Sequence, residues 1–232
     1  TISRHLIEHP DVRMVTFTGS VPVGKELTAM AGARMKPVVM ELGGHSPVFV
    51  SATADVEAAA DLSVLGKSVN AGQVCVSPTR FFVEESVHDR FAERMAKAAS
   101  SIVIGRGTDD STQMGPLVSR RRLEAVETLV SDAVARGASL LAGGSRVGNT
   151  GFGHELTVLA DVPGDCRAMT EEPFGPVALV SRVANVEEAV ERANSVDYGL
   201  AGYAFTRSAR DIHHLTEHLE VGSLAINHLS SS

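Results

Sequence analysis

"TFTGSVPVGKEL", residues 16–27, is the stretch from which the fold can be read. A β-rich run, Val12 to Thr18, passes through Gly19 and Ser20 into a helical segment, Val23 to Ala33, with glycine near each end. A strand-like run, Val38 to Met40, follows. Strand, glycine turn, helix and strand in that order indicate an α/β unit. Gly19 to Lys25 also spells G-x-x-x-x-G-K, the start of a phosphate-binding P-loop. The next residue should carry a hydroxyl for a magnesium ion, and here it is Glu26. The P-loop reading fails at the residue that would hold the metal.

The alternation continues outward. "ELGGHSP" leads to a strand at Val48 to Val50, and apolar residues at helical spacing mark a helix from Asp55 to Ala71, with Asp55 in its first turn. Strands are expected at Arg80–Val83, in "ASLLAGG", and at Leu156–Val162, Ala178–Val183, Gly202–Thr206 and Gly222–Ile226. Helices are expected at Val87–Ser101, Ser119–Arg136, Val186–Asn194 and Ser208–His218. The fold class is therefore α/β, a largely parallel sheet with flanking helices. "GGSRVGNTGFGHE" is glycine-rich and polar, a surface loop or hairpin.

Composition narrows the function. The 232 residues suffice for one large or two small domains. A net charge of −7 argues against nucleic acid as a partner, since phosphate binding needs clustered Lys and Arg. The one compact basic run, Arg120-Arg121-Arg122, opens a helical pattern and reads as a solvated helix face. No apolar run approaches the roughly 20 residues that span a bilayer, so no membrane partner is expected. No signal peptide is visible, and two cysteines, Cys75 and Cys166, make no disulfide framework; a cytoplasmic enzyme is the expectation. The chain starts "TISRHLIEHP" without Met and runs into "DVRMVTFTG", a helix end followed by a buried strand. It stops at "LAINHLSSS", and both ends read as cut from a larger protein.

Three segments carry candidate chemistry. "NAGQVCVSPTR", residues 70–80, places Cys75 just after a helix, between Gly72 and Pro78. A lone cysteine in an apolar segment is more often a packing residue than a nucleophile, although helix ends and turns can present a thiol. "VVMELGGHSP" sets Glu41 between an apolar strand and two glycines. An acid there is paired, solvated or functional, and the glycines permit close approach of a chain or ligand. "TEEPFGPV" reads as a rigid loop and by itself is only a turn.

Taken together, "FTGSVPVG", "MELGGHSP", "NAGQVC", "MGPLVS" and "EEPFGPV" occur in the order and spacing of the NAD(P)-dependent aldehyde dehydrogenases, which the chain resembles over essentially its whole length. No motif is decisive alone, but five lie in register between residues 17 and 177. The resemblance implies the C-terminal half of such a subunit, with residues 1–43 the end of the cofactor domain and 44–232 the catalytic domain. It implies that Cys75 is the nucleophile that forms a thiohemiacetal and then a thioester, and Glu41 the base that activates water. Thr18, Gly19, Ser20, Gly24 and Leu42 would face NAD or NADP. Glu172 would hold the nicotinamide ribose, and Phe174 would pack near the nicotinamide. Glu26 is then tolerable, because a pyrophosphate at a helix N-terminus needs no magnesium.

The resemblance also implies an aldehyde as the small-molecule partner, a homodimeric or homotetrameric parent, no metal, and a structural Cys166. The family's second oxyanion donor and its ribose-binding Lys would lie upstream of Thr1. The chain as given is therefore expected to be an inactive fragment, with an apolar sheet edge near Val12 to Thr18. The alternatives are a CoA-acylating relative, against which Glu41 argues, and a non-catalytic structural relative, against which Cys75 with Glu41 argues. No Arg precedes Cys75 in its turn, which lowers a dicarboxylic semialdehyde as substrate.

Overall fold

The computed structural model describes residues 2–229; Thr1 and the terminal Ser230, Ser231 and Ser232, part of the tail read as a cut end, lie outside the described residues. Two compact units are present, Thr1–Gly43 and Gly44–Ser232.

The small unit contains α1 (Ile2–Glu8), β1 (Val15–Thr18), α2 (Val21–Gly32) and β2 (Val38–Glu41). β1 and β2 are parallel, with Val15 opposite Val38 and Thr18 opposite Glu41, and α2 makes the crossover. Pro22 in the first turn of α2 suits a position whose N–H has no helical partner anyway. The Lys36 ammonium donates to the carbonyls of Ile7 and His9, each at 2.6 Å, where the end of α1 leaves acceptors unmet. The expectation of a buried strand here is overturned. Along β1, Val15 and Phe17 are half-buried while Thr16 and Thr18 are exposed. A two-stranded sheet is too narrow to be sealed on both faces. The other edge of β1 pairs with no described strand.

The large unit is a seven-stranded sheet. Its strands are β3 (Pro47–Val50), β4 (Arg80–Glu84), β5 (Ser139–Ala142), β6 (Thr157–Ala160), β7 (Val177–Val183), β8 (Ala201–Phe205) and β9 (Ser223–Ile226), in the order β5-β6-β7-β4-β3-β8-β9. Every pairing is parallel except β5 with β6. The expected largely parallel α/β fold is thus the observed one. β3, β6 and β8 are buried at every residue, as strands covered on both faces must be.

The covering helices are α3 (Val56–Ser68), α4 (Glu85–Ser100), α5 (Arg120–Ala135), α7 (Val186–Ala193) and α8 (Ala209–His218), with a single turn, α6 (Arg167–Thr170). α4 packs on β4 to β7, α3 on α4, and α7 on β3, β4 and β7. Phe81 and Phe91, 5.8 Å between ring centroids, join β4 to α4 in the core.

Three local features differ from expectation. Asp55 is the N-cap of α3, accepting from the Ala58 N–H, rather than a first-turn residue. The helix expected through Ala71 stops at Ser68. Asn70, Ala71 and Gly72 all have positive φ, of 48°, 54° and 69°, which turns the chain out of the helix. α6 was not anticipated, because four residues carry no periodicity. The glycine-rich stretch after β5 is an exposed hairpin closed by an antiparallel bridge between Arg146 and His154.

Candidate active site

Adjacency in the sheet assembles the site of the large unit. β7, β4 and β3 are neighbours and run the same way, so the segments entering them meet at one edge of the sheet. Those segments are Gly44–Ser46, Gln73–Thr79 and Glu172–Pro176, which hold Cys75, Glu172 and the last residues of the "VVMELGGHSP" motif, while Glu41 belongs to the small unit. The cluster therefore lies at the amino ends of parallel strands.

Each segment is fixed to the next by backbone. A Cβ at Gly44 would collide with the carbonyl oxygen of Cys75, so only glycine lets these two segments touch. The close approach anticipated at the double glycine is thus made by the chain itself. The Gly44 N–H donates to Glu172 Oε1 at 3.0 Å. Gly72 would collide in the same way with the Gly175 carbonyl, joining the Cys75 segment to the "PFGP" loop. Gln73 Nε2 donates to the Asn70 carbonyl, Asn70 Nδ2 donates to the Gln73 carbonyl, and Gln73 Oε1 accepts from the Val118 N–H at 2.8 Å. The last bond brings in "MGPLVS".

Cys75 sits in the turn these contacts define. Val74, Cys75 and Val76 are partly exposed, while residues 71–73 and 77–80 are buried, so three residues surface from a rigid surround. The Ser77 N–H donates to the Val74 carbonyl and the Tyr203 hydroxyl to the Val76 carbonyl. The Cys75 N–H donates to no described residue, leaving it free for an oxygen beside the sulfur. Cys166 is fully buried, and burial raises its thiol pKa.

Glu172 is half-buried, and burial raises its pKa against the opposing pull of Gly44, Arg122 and Lys67. Phe174 follows at a φ of 42°, half-buried. The Arg122 guanidinium lies 5.7 Å from the Phe174 ring centroid and donates to the Pro173 carbonyl at 3.0 Å. This corrects the reading of the arginine run. Arg120 and Arg121 are exposed, but Arg122 braces the "EEPFGP" loop.

Two further residues escaped the sequence reading. Lys67, on α3, is 1% exposed and donates to Ser77 Oγ at 3.1 Å and Thr79 Oγ1 at 2.9 Å. Burial lowers its pKa to about 7, with Glu172 pulling the other way. Its register was a usable signal: Val56, Ala59, Ala60, Ser63, Val64, Lys67 and Ser68 form the inward stripe of α3. His45 is buried with Nε2 against the Ala168 carbonyl at 3.0 Å and Nδ1 without a partner. Burial, aided by Arg80, lowers its pKa to about 3.

The remaining candidates lie in the small unit. Thr18 ends β1, and the Gly19 N–H donates to the Glu41 carbonyl at 3.0 Å. Ser20 is the N-cap of α2, yet its hydroxyl caps no N–H. Gly24 is buried against the Leu42 side chain. Gly19, Ser20, Lys25 and Glu41 are exposed. An exposed, uncapped helix N-terminus at the carboxyl ends of two parallel strands fits a phosphate. In the large unit, Glu172 has one oxygen committed to Gly44 and the other without a described partner, which fits a sugar hydroxyl. Among the described residues no group of three or more His, Cys, Asp or Glu could hold a metal, and no helix is long and apolar enough to cross a membrane.

The sequence profile of the Aldehyde dehydrogenase family matches residues 1–232. The chain belongs to that family. Among curated relatives, a putative 4-(hydroxymethyl)benzenesulfonate dehydrogenase of Comamonas testosteroni is 46% identical over 231 residues, 100% of this chain and 48% of the relative. A 3-sulfolactaldehyde dehydrogenase of Pseudomonas putida is 40% identical over 222 residues, 96% of this chain and 46% of its own. Among solved structures, an NADP-dependent enzyme of E. coli superimposes with a TM-score of 0.96 at 35% identity, covering 100% of this chain and 48% of that one. Lactaldehyde dehydrogenase from E. coli gives 0.94 at 35%, covering 98% and 48%. The chain spans about half the length of the relatives it matches.

Proposed function

We propose that the chain carries the catalytic cysteine of an aldehyde dehydrogenase that uses NAD or NADP and releases a carboxylic acid. The observation behind this reading is the Cys75 turn, in which a partly exposed sulfur and an uncommitted N–H surface together from a buried frame. The Cys75 thiolate attacks the aldehyde carbon, forming the C–S bond, and the carbonyl oxygen takes the electron pair. The Cys75 N–H donates to that oxyanion. NAD or NADP, when bound, supplies the hydride acceptor, and names of relatives and solved structures include both kinds of dependence. Loss of hydride from the substrate carbon leaves a thioester on Sγ. Glu41 takes a proton from water, the water oxygen adds to the thioester carbon, and the C–S bond breaks to return the thiolate.

The residues at the start of α2 are assigned to the pyrophosphate, Glu172 to a ribose hydroxyl, and residues 1–43 and 44–232 to the cofactor and catalytic domains. Two relatives are named for sulfonated substrates, so a sulfonate-bearing aldehyde is the first to assay. The test uses the dehydrogenase subunit that contains this chain. Glu41→Gln keeps a pre-steady-state burst of reduced cofactor while turnover slows about 10²–10⁴-fold. Loss of the burst with cofactor still bound removes Glu41 from the hydrolytic step.

A further inference from the structure

Lys67 has no part in the chemistry above, yet it occupies an expensive position. The other inward residues of α3 are small, apolar or hydroxylic, and packing alone explains them. A buried ammonium is costly, and apolar replacement of buried charge is often neutral or stabilising. Lys67 also has no anionic partner in contact. Its two acceptors are hydroxyls, Ser77 Oγ and Thr79 Oγ1. A neutral amine has two N–H donors and matches two acceptors, whereas an ammonium would leave a third N–H unmet.

The location matters as much as the count. α3 delivers the chain into the Cys75 turn, and residues 77–79 carry it out into β4. Lys67 spans the two sides: its backbone is in the last turn of the incoming helix and its nitrogen holds Ser77 and Thr79, just before β4. The Thr79 hydroxyl in turn donates to the Ser77 carbonyl at 2.9 Å, so the amine closes onto a preformed bend.

We propose that Lys67 is the positioning residue of the nucleophile turn, a buried amine that latches residues 77–79 to α3 and so holds Cys75 in its presented conformation. This rests on Cys75 being the nucleophile. The groups facing the latch are Glu172 from the segment before β7 and His45 from the segment before β3. Arg80 on β4 gives its donors to the carbonyls of His45, Arg192 and Ala193. The charged pairs between α3 and α4, Glu57 with Arg90 and Asp61 with Arg94, are solvent-accessible and separate from Lys67.

The latch has a proton dependence whose sign follows from burial. Closed, the amine titrates near 7; opened to water it returns toward its ordinary value of 10.5. The open turn therefore binds more protons between those values, and the closed turn gains on it as pH rises above 7.

Hydrogen exchange of the 232-residue chain tests this, read at the hydrogen-bonded amides of Gln73, Ser77 and Thr79 after dividing out the intrinsic pH dependence. Protection of the wild-type turn rises above pH 7, by up to about tenfold per pH unit. Lys67→Met gives a flat profile and at pH 8 loses about tenfold protection in the turn, while residues 81–83 of β4 keep theirs. In the dehydrogenase subunit the same variant lowers kcat and leaves the cofactor KM unchanged. Coincident profiles for wild type and Lys67→Met, or equal loss in the turn and in β4, overturn the proposal; so does a change in KM alone. Should Lys67→Met fail to fold, Ser77→Ala and Thr79→Val remove the acceptors, and each must loosen the turn without loosening β4. Backbone exchange does not depend on Cys75 being catalytic, so the two assignments fail separately; Cys75→Ser activity tests the other.

Discussion

The two units carry their candidate residues at opposite ends of their strands. In the small unit, Thr18, Gly19 and Glu41 lie at the carboxyl ends of β1 and β2, beside the N-terminus of α2. In the large unit, Gly44, Cys75 and Glu172 lie at the amino ends of β3, β4 and β7. The difference has a physical basis. Carboxyl ends lead into helix N-termini, whose free N–H groups and dipole suit an anion. The amino ends of β4 and β7 are approached by chain leaving a helix, and there tight turns pinned by glycines and buried polar groups can hold a side chain rigidly.

The units differ equally in how firmly they are built. The helices of the small unit bury only Ile7, Gly24 and Ala31, and its strands are half-exposed. The large unit has one continuous core from Val48 to Ala225. Some 40 residues is near the lower limit for independent folding. The Cys75 turn accordingly belongs to the unit with a core.

The largest break in that comparison is chemical. Cys75→Ser in the dehydrogenase subunit abolishes aldehyde oxidation, while Cys166→Ser retains most of it; a steady-state assay of both variants decides, and an essential Cys166 refutes the assignment. Next in size is backbone protection. Amides of β4 and β7 should exchange only on global opening, of the order of 5–15 kcal/mol, and those of β1 and β2 several kcal/mol sooner. Equal protection in both sheets would show the small unit to be as firmly held as the large one.

Third, Phe81→Ala, at a fully buried ring, costs about 3–5 kcal/mol in denaturant unfolding, whereas Phe17→Ala costs about 1 or less. The smallest effect is acid sensitivity from His45. Its folded pKa is depressed to about 3 from 6.5, so its contribution is complete above 6.5 and is lost as pH falls toward 3. The unfolding free energy should drop by about 1–2 kcal/mol between pH 6.5 and 5, and His45→Asn should flatten that slope. An unchanged slope would place the acid sensitivity elsewhere.

Much of the fold was legible because local rules agree with one another along the chain. Alternating strands and helices appear where periodicity placed them, within a few residues at their ends. The misjudged features are those in which local preference was overruled. The helix through Ala71 was cut short by three positive-φ residues, and the β1 run was apolar enough to suggest burial that a two-stranded sheet does not provide. Arg122 looked like one of three solvated arginines until Phe174 was found beneath it.

By itself, then, the sequence determined the α/β class, the order of the main elements and the motifs in register. Those properties depend on neighbours a few residues away. Only the tertiary structure decided that Gly44 meets the Cys75 carbonyl, that Glu172 receives the N–H of Gly44, and that Lys67 closes on Ser77 and Thr79. Gly44 and Glu172 are 128 positions apart. Their contact follows from β7 lying beside β4 and β4 beside β3, an order set by which faces must be buried together rather than by any local pattern.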